Sequence, residues 1–254
     1  MSWLLNLLYA LLLIAGSPVL LYRVIVLGKY RHGLSEKLFG RLPRRGTENF
    51  CVWFHAVSVG EVLQLQTIVR QLEATRPDWE IWITTTTHTG HKVAREKFPN
   101  HTVCYFPLDF SGSVKNALRR VRPSMIVLVE LELWPNFIRA ASEKRIPLAL
   151  VNGRISEASF KGYRRVRFLM RDLLGRFERL AVQSQTYAER LRSLGAPAEK
   201  IVVTGSIKFD GVKPDRGNPQ TLELRQSFSL NEDDRVFIAG STQDPEESYA
   251  LETY

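Results

Sequence analysis

An α/β protein with a mostly parallel, doubly wound sheet is what three features of this 254-residue chain predict. After Gly46, short aromatic and β-branched runs alternate with segments that are apolar at helical spacing, the pattern of repeated strand–helix units. Several runs, such as Met125–Val129, are apolar throughout and read as buried strands. Polar loops follow four of them and open helices, as at the ligand-binding edge of such a sheet.

The strands are expected at Phe50–Ala56, Glu80–Thr85, Thr102–Phe106, Met125–Val129, Leu148–Val151, Arg179–Val182 and Ile201–Val203. The helices between them centre near Leu65, Ala94, Ala117, Ile138, Phe168 and Glu189. Gly211, Pro214, Gly217 and Pro219 mark 208–220 as an interdomain linker. Beyond it, Leu222–Phe228 reads as a helix, Arg235–Ala239 as a strand and Gly240–Thr242 as the turn into another helix, so a second domain is expected to begin within 221–254 and to be cut short.

The first 27 residues read as a membrane anchor, because Trp3 to Tyr22 carries no charge and a helix of about 20 residues at 1.5 Å each matches a hydrocarbon core of about 30 Å. Asn6 and Gly16-Ser17-Pro18 interrupt the run and also suit a kinked helix lying at the surface. A basic juxtamembrane segment, 28–49, follows; Arg23, Lys29, Arg31, Lys37, Arg41, Arg44 and Arg45 flank the anchor and place the body on the cytoplasmic side of the inner membrane. The net charge of +9 calls for anionic partners, and its position beside the anchor selects an acidic lipid surface or phosphorylated ligands over nucleic acid. Basic residues interleaved with apolar ones from 160 to 179 form a second amphipathic helix, suited either to a solvated crossover or to lipid headgroups. Cys51 and Cys104 fall in predicted strands and read as buried free thiols.

The chemistry is expected at His55–Glu61, where a strand runs straight into a helix whose free N–H groups face outward. Ser58 is an N-cap, Gly60 permits close approach, and Glu61 is either a general base or the closing residue of a Ser-x-x-Glu capping box; spacing alone leaves both open. Thr84–Gly90 ends a strand in the same way, with Thr87, Thr89 and Gly90 suited to phosphate or sugar hydroxyls, or simply to capping. Glu130 and Glu132, with Trp134, Pro135 and Asn136, form a ligand-facing loop or serve a helix dipole. Asn152 and Arg154 end the next strand similarly. There is no Gly-x-Gly-x-x-Gly and no Gly-Lys-Ser/Thr, so the common dinucleotide and triphosphate cradles are missing.

Taken together, the N-terminal apolar run, His55–Glu61, Thr84–Gly90, Glu130–Asn136, Asn152–Glu157, Gly205–Asp210 and Ala239–Thr242 resemble, in order and spacing, the bacterial 3-deoxy-D-manno-octulosonic acid (Kdo) transferases. The resemblance implies a GT-B glycosyltransferase: a complete Rossmann-like acceptor-binding domain over 50–207, a second Rossmann-like nucleotide-binding domain only begun, and transfer of Kdo from CMP-Kdo to a lipid A precursor in lipopolysaccharide assembly. It assigns Glu61 as general base, Glu130 and Lys208 as transition-state stabilisers, and Ser241 to substrate binding, with no metal or cofactor. Gln243-Asp244-Pro245 departs from the family pattern in that last loop. The alternative is a non-catalytic membrane-associated fragment that binds the acceptor only.

Overall fold

A computed structural model describes residues 2–26, 32–210, 215, 217–231 and 233–253. The chain divides into two units, Met1–Gly211 and Val212–Tyr254. In the first, helices α1 (Ser2–Ile25) and α2 (Leu34–Phe39) precede β1 (Cys51–His55), α3 (Val59–Thr75), β2 (Glu80–Thr85), α4 (His88–Lys97), β3 (Thr102–Tyr105) and α5 (Ser111–Val121). Then come β4 (Met125–Val129), α6 (Pro135–Glu143), β5 (Leu148–Gly153), α7 (Glu157–Arg165), α8 (Arg167–Gly175), β6 (Arg179–Val182), α9 (Gln185–Ser193) and β7 (Ile201–Val203). The second unit holds α10 (Pro219–Ser227) and α11 (Glu246–Thr253).

The seven strands form one sheet in the order β3-β2-β1-β4-β5-β6-β7, and all pairings are parallel. Period-two alternation along β1 divides the core between the two faces. Cys51 and Trp53 pack in one cluster with Val114 of α5, Phe137 of α6 and Leu173 of α8. Val52 and Phe54 pack in the other with Val62 and Leu65 of α3 and Ala94 of α4. Phe137 meets Trp53 edge-to-face at 5.2 Å, which seats α6 directly beneath the loop leaving β4. The order of the strands reverses between β1 and β4, so the crevice at their C-terminal ends is the switch point where open sheets of this kind take ligands.

Four expectations change. Among the described residues no helix is long and apolar enough to cross a membrane, so the spanning anchor of residues 1–27 is corrected. α1 is one continuous helix through Pro18, and it is tied to the domain by the very residues that dilute its apolarity: Asn6 hydrogen-bonds Ser111, and Tyr9 donates to Asp109 at 3.0 Å. The basic segment is not a free juxtamembrane stretch where it is described. Lys37 lies over the Tyr105 ring at 4.0 Å, and Arg45 is buried, paired with Glu80 at 3.0 Å and hydrogen-bonded to carbonyls. Lys29 and Arg31 lie outside the described residues.

The basic helix expected over 160–179 is two helices that break at Val166. Met170, Leu173 and Leu174 of α8 are buried, and Asp172 holds both Arg139 of α6 (2.7 Å) and Arg176 (2.8 Å), so α8 is a packed crossover. The strand expected at Arg235–Ala239 has no regular structure, since among the described residues of its unit no other strand supplies a hydrogen-bonded neighbour. Cys51 and Cys104 are buried free thiols as expected, and burial pushes both up to about 12.

Arg139 is buried with Asp172 as its carboxylate. Asp172→Ala, which strands that guanidinium, is therefore expected to lower the urea-unfolding free energy by about 2 kcal/mol. A change below about 0.5 kcal/mol would show that the pair contributes nothing net to stability.

Candidate active site at the switch point

β1 delivers Glu61 to the crevice through a tight turn. Ser58 caps α3 from extended backbone, accepting from the Glu61 amide at 3.5 Å. The Glu61 carboxylate reaches back: one oxygen accepts from the Val57 amide and the other from the Ser58 hydroxyl, each at 2.8 Å. The reciprocal bond of this capping-box turn thus falls on the Val57 amide, one residue before the N-cap. It does not exclude the catalytic reading, because a carboxylate has about four lone-pair positions and two are taken. Burial, at 6% exposure, raises the pKa of Glu61; the amide and hydroxyl bonds oppose this, and the charge of Glu130 adds to it. A carboxylate raised in this way and fixed in direction is a better proton acceptor than a free one.

Across the switch point β4 ends in Glu130, whose φ of 57° is left-handed, a strained conformation for a residue with a side chain. Glu130 binds Arg154 at 2.8 Å, and Arg154 in turn is raised by that carboxylate. Glu132 is pushed up to about 7, first by burial and then by the charges of Glu61 and Glu130, against a hydrogen bond from Trp134. These couplings place three carboxylates and one guanidinium around a single crevice. Beside it opens a cleft of about 350 Å³ in which Glu130, Glu132 and Arg154 are joined by the hydroxyls of Ser156, Ser159, Tyr163 and Tyr187. Hydroxyls, carboxylates and one guanidinium suit a sugar bearing an anionic group.

Other residues expected at the site turn out to support it. Thr87 caps α4, accepting from Gly90 at 3.0 Å, and donates to the Val57 carbonyl at 3.1 Å, which stitches the two helix starts together. At Gly90 an added Cβ would lie 2.8 Å from the Thr87 hydroxyl and 3.2 Å from that carbonyl, so the glycine serves close packing. Gly60 and Thr89 are exposed and open to a ligand. Asn152, with φ 54° at a bulge in β5, is only 1% exposed. Its amide donates to Gln64 of α3 and its side-chain oxygen accepts from the Ile207 amide, so it is a brace and not a ligand contact. Asn136 is buried as well, donating to the Asp109 carbonyl and to Asn6. Both asparagines are held by partners that are distant in sequence, which spacing does not reveal. Lys208 lies on the 3-10 turn Ile207–Phe209 that Asn152 holds. Ser241, with φ 60°, belongs to the second unit.

Asp109 is not singled out by the sequence, and His55 and Trp134 stand there only as members of their loops. His55 is fully buried on Phe106 at 3.7 Å, bonded through Nδ1 to Thr84, and burial holds it neutral, at about 3. Its Nε2 is buried without a protein partner, and its ring stands 6.2 Å from that of Trp134 at the base of the crevice. Asp109 caps α6, accepting from the amides of Asn136 (2.9 Å) and Phe137 (2.8 Å); burial raises it to about 6 despite those bonds. The one signal that pointed to Asp109 was Asn6, a lone amide in an apolar run.

Residues 32–211 match the family described as 3-Deoxy-D-manno-octulosonic-acid transferase (kdotransferase). The chain belongs to this Kdo transferase family. It is 32% identical over 244 residues to the bifunctional glycosyltransferase/methyltransferase of Fusobacterium nucleatum, covering 92% of this chain and 38% of that protein. It is 32% identical to the 3-deoxy-D-manno-octulosonic acid transferase of Chlamydia pneumoniae (90% of this chain, 53% of that one) and 30% identical to that of Haemophilus influenzae (97% and 58%). The chain thus spans about half the length of the relatives it matches. The matched region contains Glu61, Glu130, Glu132, Arg154 and Lys208, so the crevice belongs to the part that defines the family.

The raised Glu132 carboxyl has a consequence for stability with a definite sign. Its folded value of about 7 lies above the ordinary 4.5, so its contribution is fully present below 4.5 and lost as pH rises through 7. Glu132→Gln removes that loss, and the variant should exceed the parent by about 2 kcal/mol at pH values above 8, after discounting for solvent screening. The gap should close as the pH falls below 4.5. Urea unfolding across this range measures it; equal stability at high pH would place Glu132 in water.

Proposed function

We propose that this chain supplies the acceptor-binding half and the catalytic base of a glycosyltransferase that moves Kdo from CMP-Kdo to a lipid A precursor in lipopolysaccharide core assembly, on a GT-B scaffold. One observation carries the reading: Glu61 after β1 and Glu130 after β4 face one another across the switch point, with Glu61 buried, raised and held by its own capping box. In the step proposed, a Glu61 oxygen takes the proton of an acceptor hydroxyl. The acceptor's hydroxyl oxygen, relieved of its proton, bonds to the anomeric carbon of Kdo as the bond from this carbon to the CMP phosphate oxygen breaks, and CMP leaves with the electron pair. Glu130 supports positive charge on the sugar, while Lys208 and backbone amides take the charge of the departing phosphate without a metal or cofactor. Ser241 is assigned to the donor.

The acceptor's sugar and phosphate are placed in the cleft lined by Arg154, Ser156 and Tyr163, with Arg154 as the phosphate contact. Trp3, Leu4, Leu7, Leu8, Leu11, Leu12 and Ile14 of α1 are exposed, and we assign this face to lying in an anionic lipid surface, on the cytoplasmic side of the inner membrane.

The test has two arms. The chain by itself should bind vesicle-embedded lipid A precursor, and Arg154→Ala should weaken that binding about tenfold, as loss of a charged hydrogen bond of about 1.5 kcal/mol does. Paired with the C-terminal half of the Haemophilus influenzae relative, it should transfer Kdo from CMP-Kdo, and Glu61→Gln should cut turnover at least about a hundredfold with an unchanged circular dichroism spectrum. Turnover within about threefold of the parent would leave Glu61 with its capping role alone.

A further inference from the structure

α1 is joined to the domain through a compact polar cluster. Asn6 and Tyr9, one turn apart, face the body. The Asn6 amide nitrogen donates to the Ser111 hydroxyl at 2.7 Å, and its oxygen accepts from the Ser111 amide (3.1 Å) and from the Asn136 side chain (3.2 Å). The Tyr9 hydroxyl donates to Asp109 at 3.0 Å, and its ring meets Phe110 edge-on at 5.8 Å. Asp109, 4% exposed, uses its two oxygens on the first amides of α6. One buried cluster therefore joins α1, the start of α5 and the start of α6.

What the cluster grips is the far end of the site loop. Glu130 to Trp134 has no regular structure of its own and runs from the left-handed turn at Glu130 into Pro135 and Asn136. At its near end Glu130 is fixed by the sheet, its amide donating to the Val151 carbonyl at 2.9 Å. At its far end Trp134 packs on the rings of His55 and Phe106, and the hydrogen bonds that hold the α6 start come from the Asp109 cap and Asn136. We propose that α1 is a strut of the active site: Asn6 and Tyr9 are positioning residues that, through Asp109 and Asn136, hold the α6 start and so fix the Glu130–Trp134 loop in its binding geometry. The assignment of that loop to catalysis rests on the function proposed above; the mechanical coupling does not.

Hydrogen exchange read by mass spectrometry on the intact chain tests the coupling directly. The Asn6→Ala/Tyr9→Phe double variant keeps the helix and the ring but removes the latch. Amides over 130–138 should exchange about tenfold faster, while β6 and α9 stay as protected as in the parent. Leu12→Ala, on the exposed face of α1, should leave 130–138 unchanged. Unchanged protection in the double variant, or equal acceleration everywhere, would overturn the proposal, as would the same effect from Leu12→Ala. In the paired transfer assay, Tyr9→Phe should lower kcat severalfold with KM for the acceptor unchanged. A faster-exchanging loop with normal kcat would leave the strut standing and remove the loop's catalytic role, whereas normal exchange with lowered kcat would remove the strut.

Discussion

Burial of both faces of a parallel sheet governs how this molecule can use its polar residues. Helices over both faces of the central strands leave little of the sheet on which a charged group meets water, so hydrophilic chemistry gathers at the rims. At the C-terminal rim, each strand hands over to a loop and then to a helix start whose amides want acceptors. Glu61, Thr87, Asp109 and Ser156 answer that demand at α3, α4, α6 and α7. Capping and catalysis share one address for this reason. The acceptor oxygens that satisfy helix ends are the same kinds of atom that bind ligands, and the fold collects them in one place.

The two roles are compatible at Glu61 and divide elsewhere. Its bonds to Val57 and Ser58 fix the carboxylate plane and leave lone pairs for an incoming proton, so a structural contact becomes preorganisation. Thr87 and Asn152, by contrast, use their polar atoms on partners inside the protein. A rim of this kind needs both sorts of residue: a few with spare valence toward the ligand, and more that are saturated so that the few stay put.

What could be read from sequence followed the range of the interaction. The sheet was legible because strands buried on both faces are continuous apolar runs, as in Met125–Val129, and the Ser58–Glu61 box because its partners lie three residues apart. Where the controlling partner is remote, legibility failed. Asn6 and Asn136 are 130 positions apart, and so an anchor that reads as spanning is instead tied against the domain. Asn152 looks like a ligand contact until Gln64 and Ile207 are seen to occupy it. The break at Val166 carries neither Gly nor Pro, and comes from the need to turn Met170 and Leu173 into the core. Arg235–Ala239 has the composition of a strand, but composition does not supply a neighbour.

The packing of the chain after α1 bears on how firmly that helix can be displaced. Gly40, with φ 59°, lies so close to α5 that an added Cβ would fall 1.9 Å from the Ser113 carbonyl oxygen, and the Arg45 amide donates to Arg120 at the other end of the same helix. The stretch 40–45, which starts fifteen residues beyond the end of α1 at Ile25, is thereby clamped along α5, the element whose first turn Asn6 grips. A helix tethered so near its own dock rebinds as an intramolecular event, at an effective concentration on the order of millimolar or above. Net gains of about 1 kcal/mol per hydrogen bond are then enough to keep it in place, and a lipid surface competing for its leucines would shift its tilt before it could pull it away.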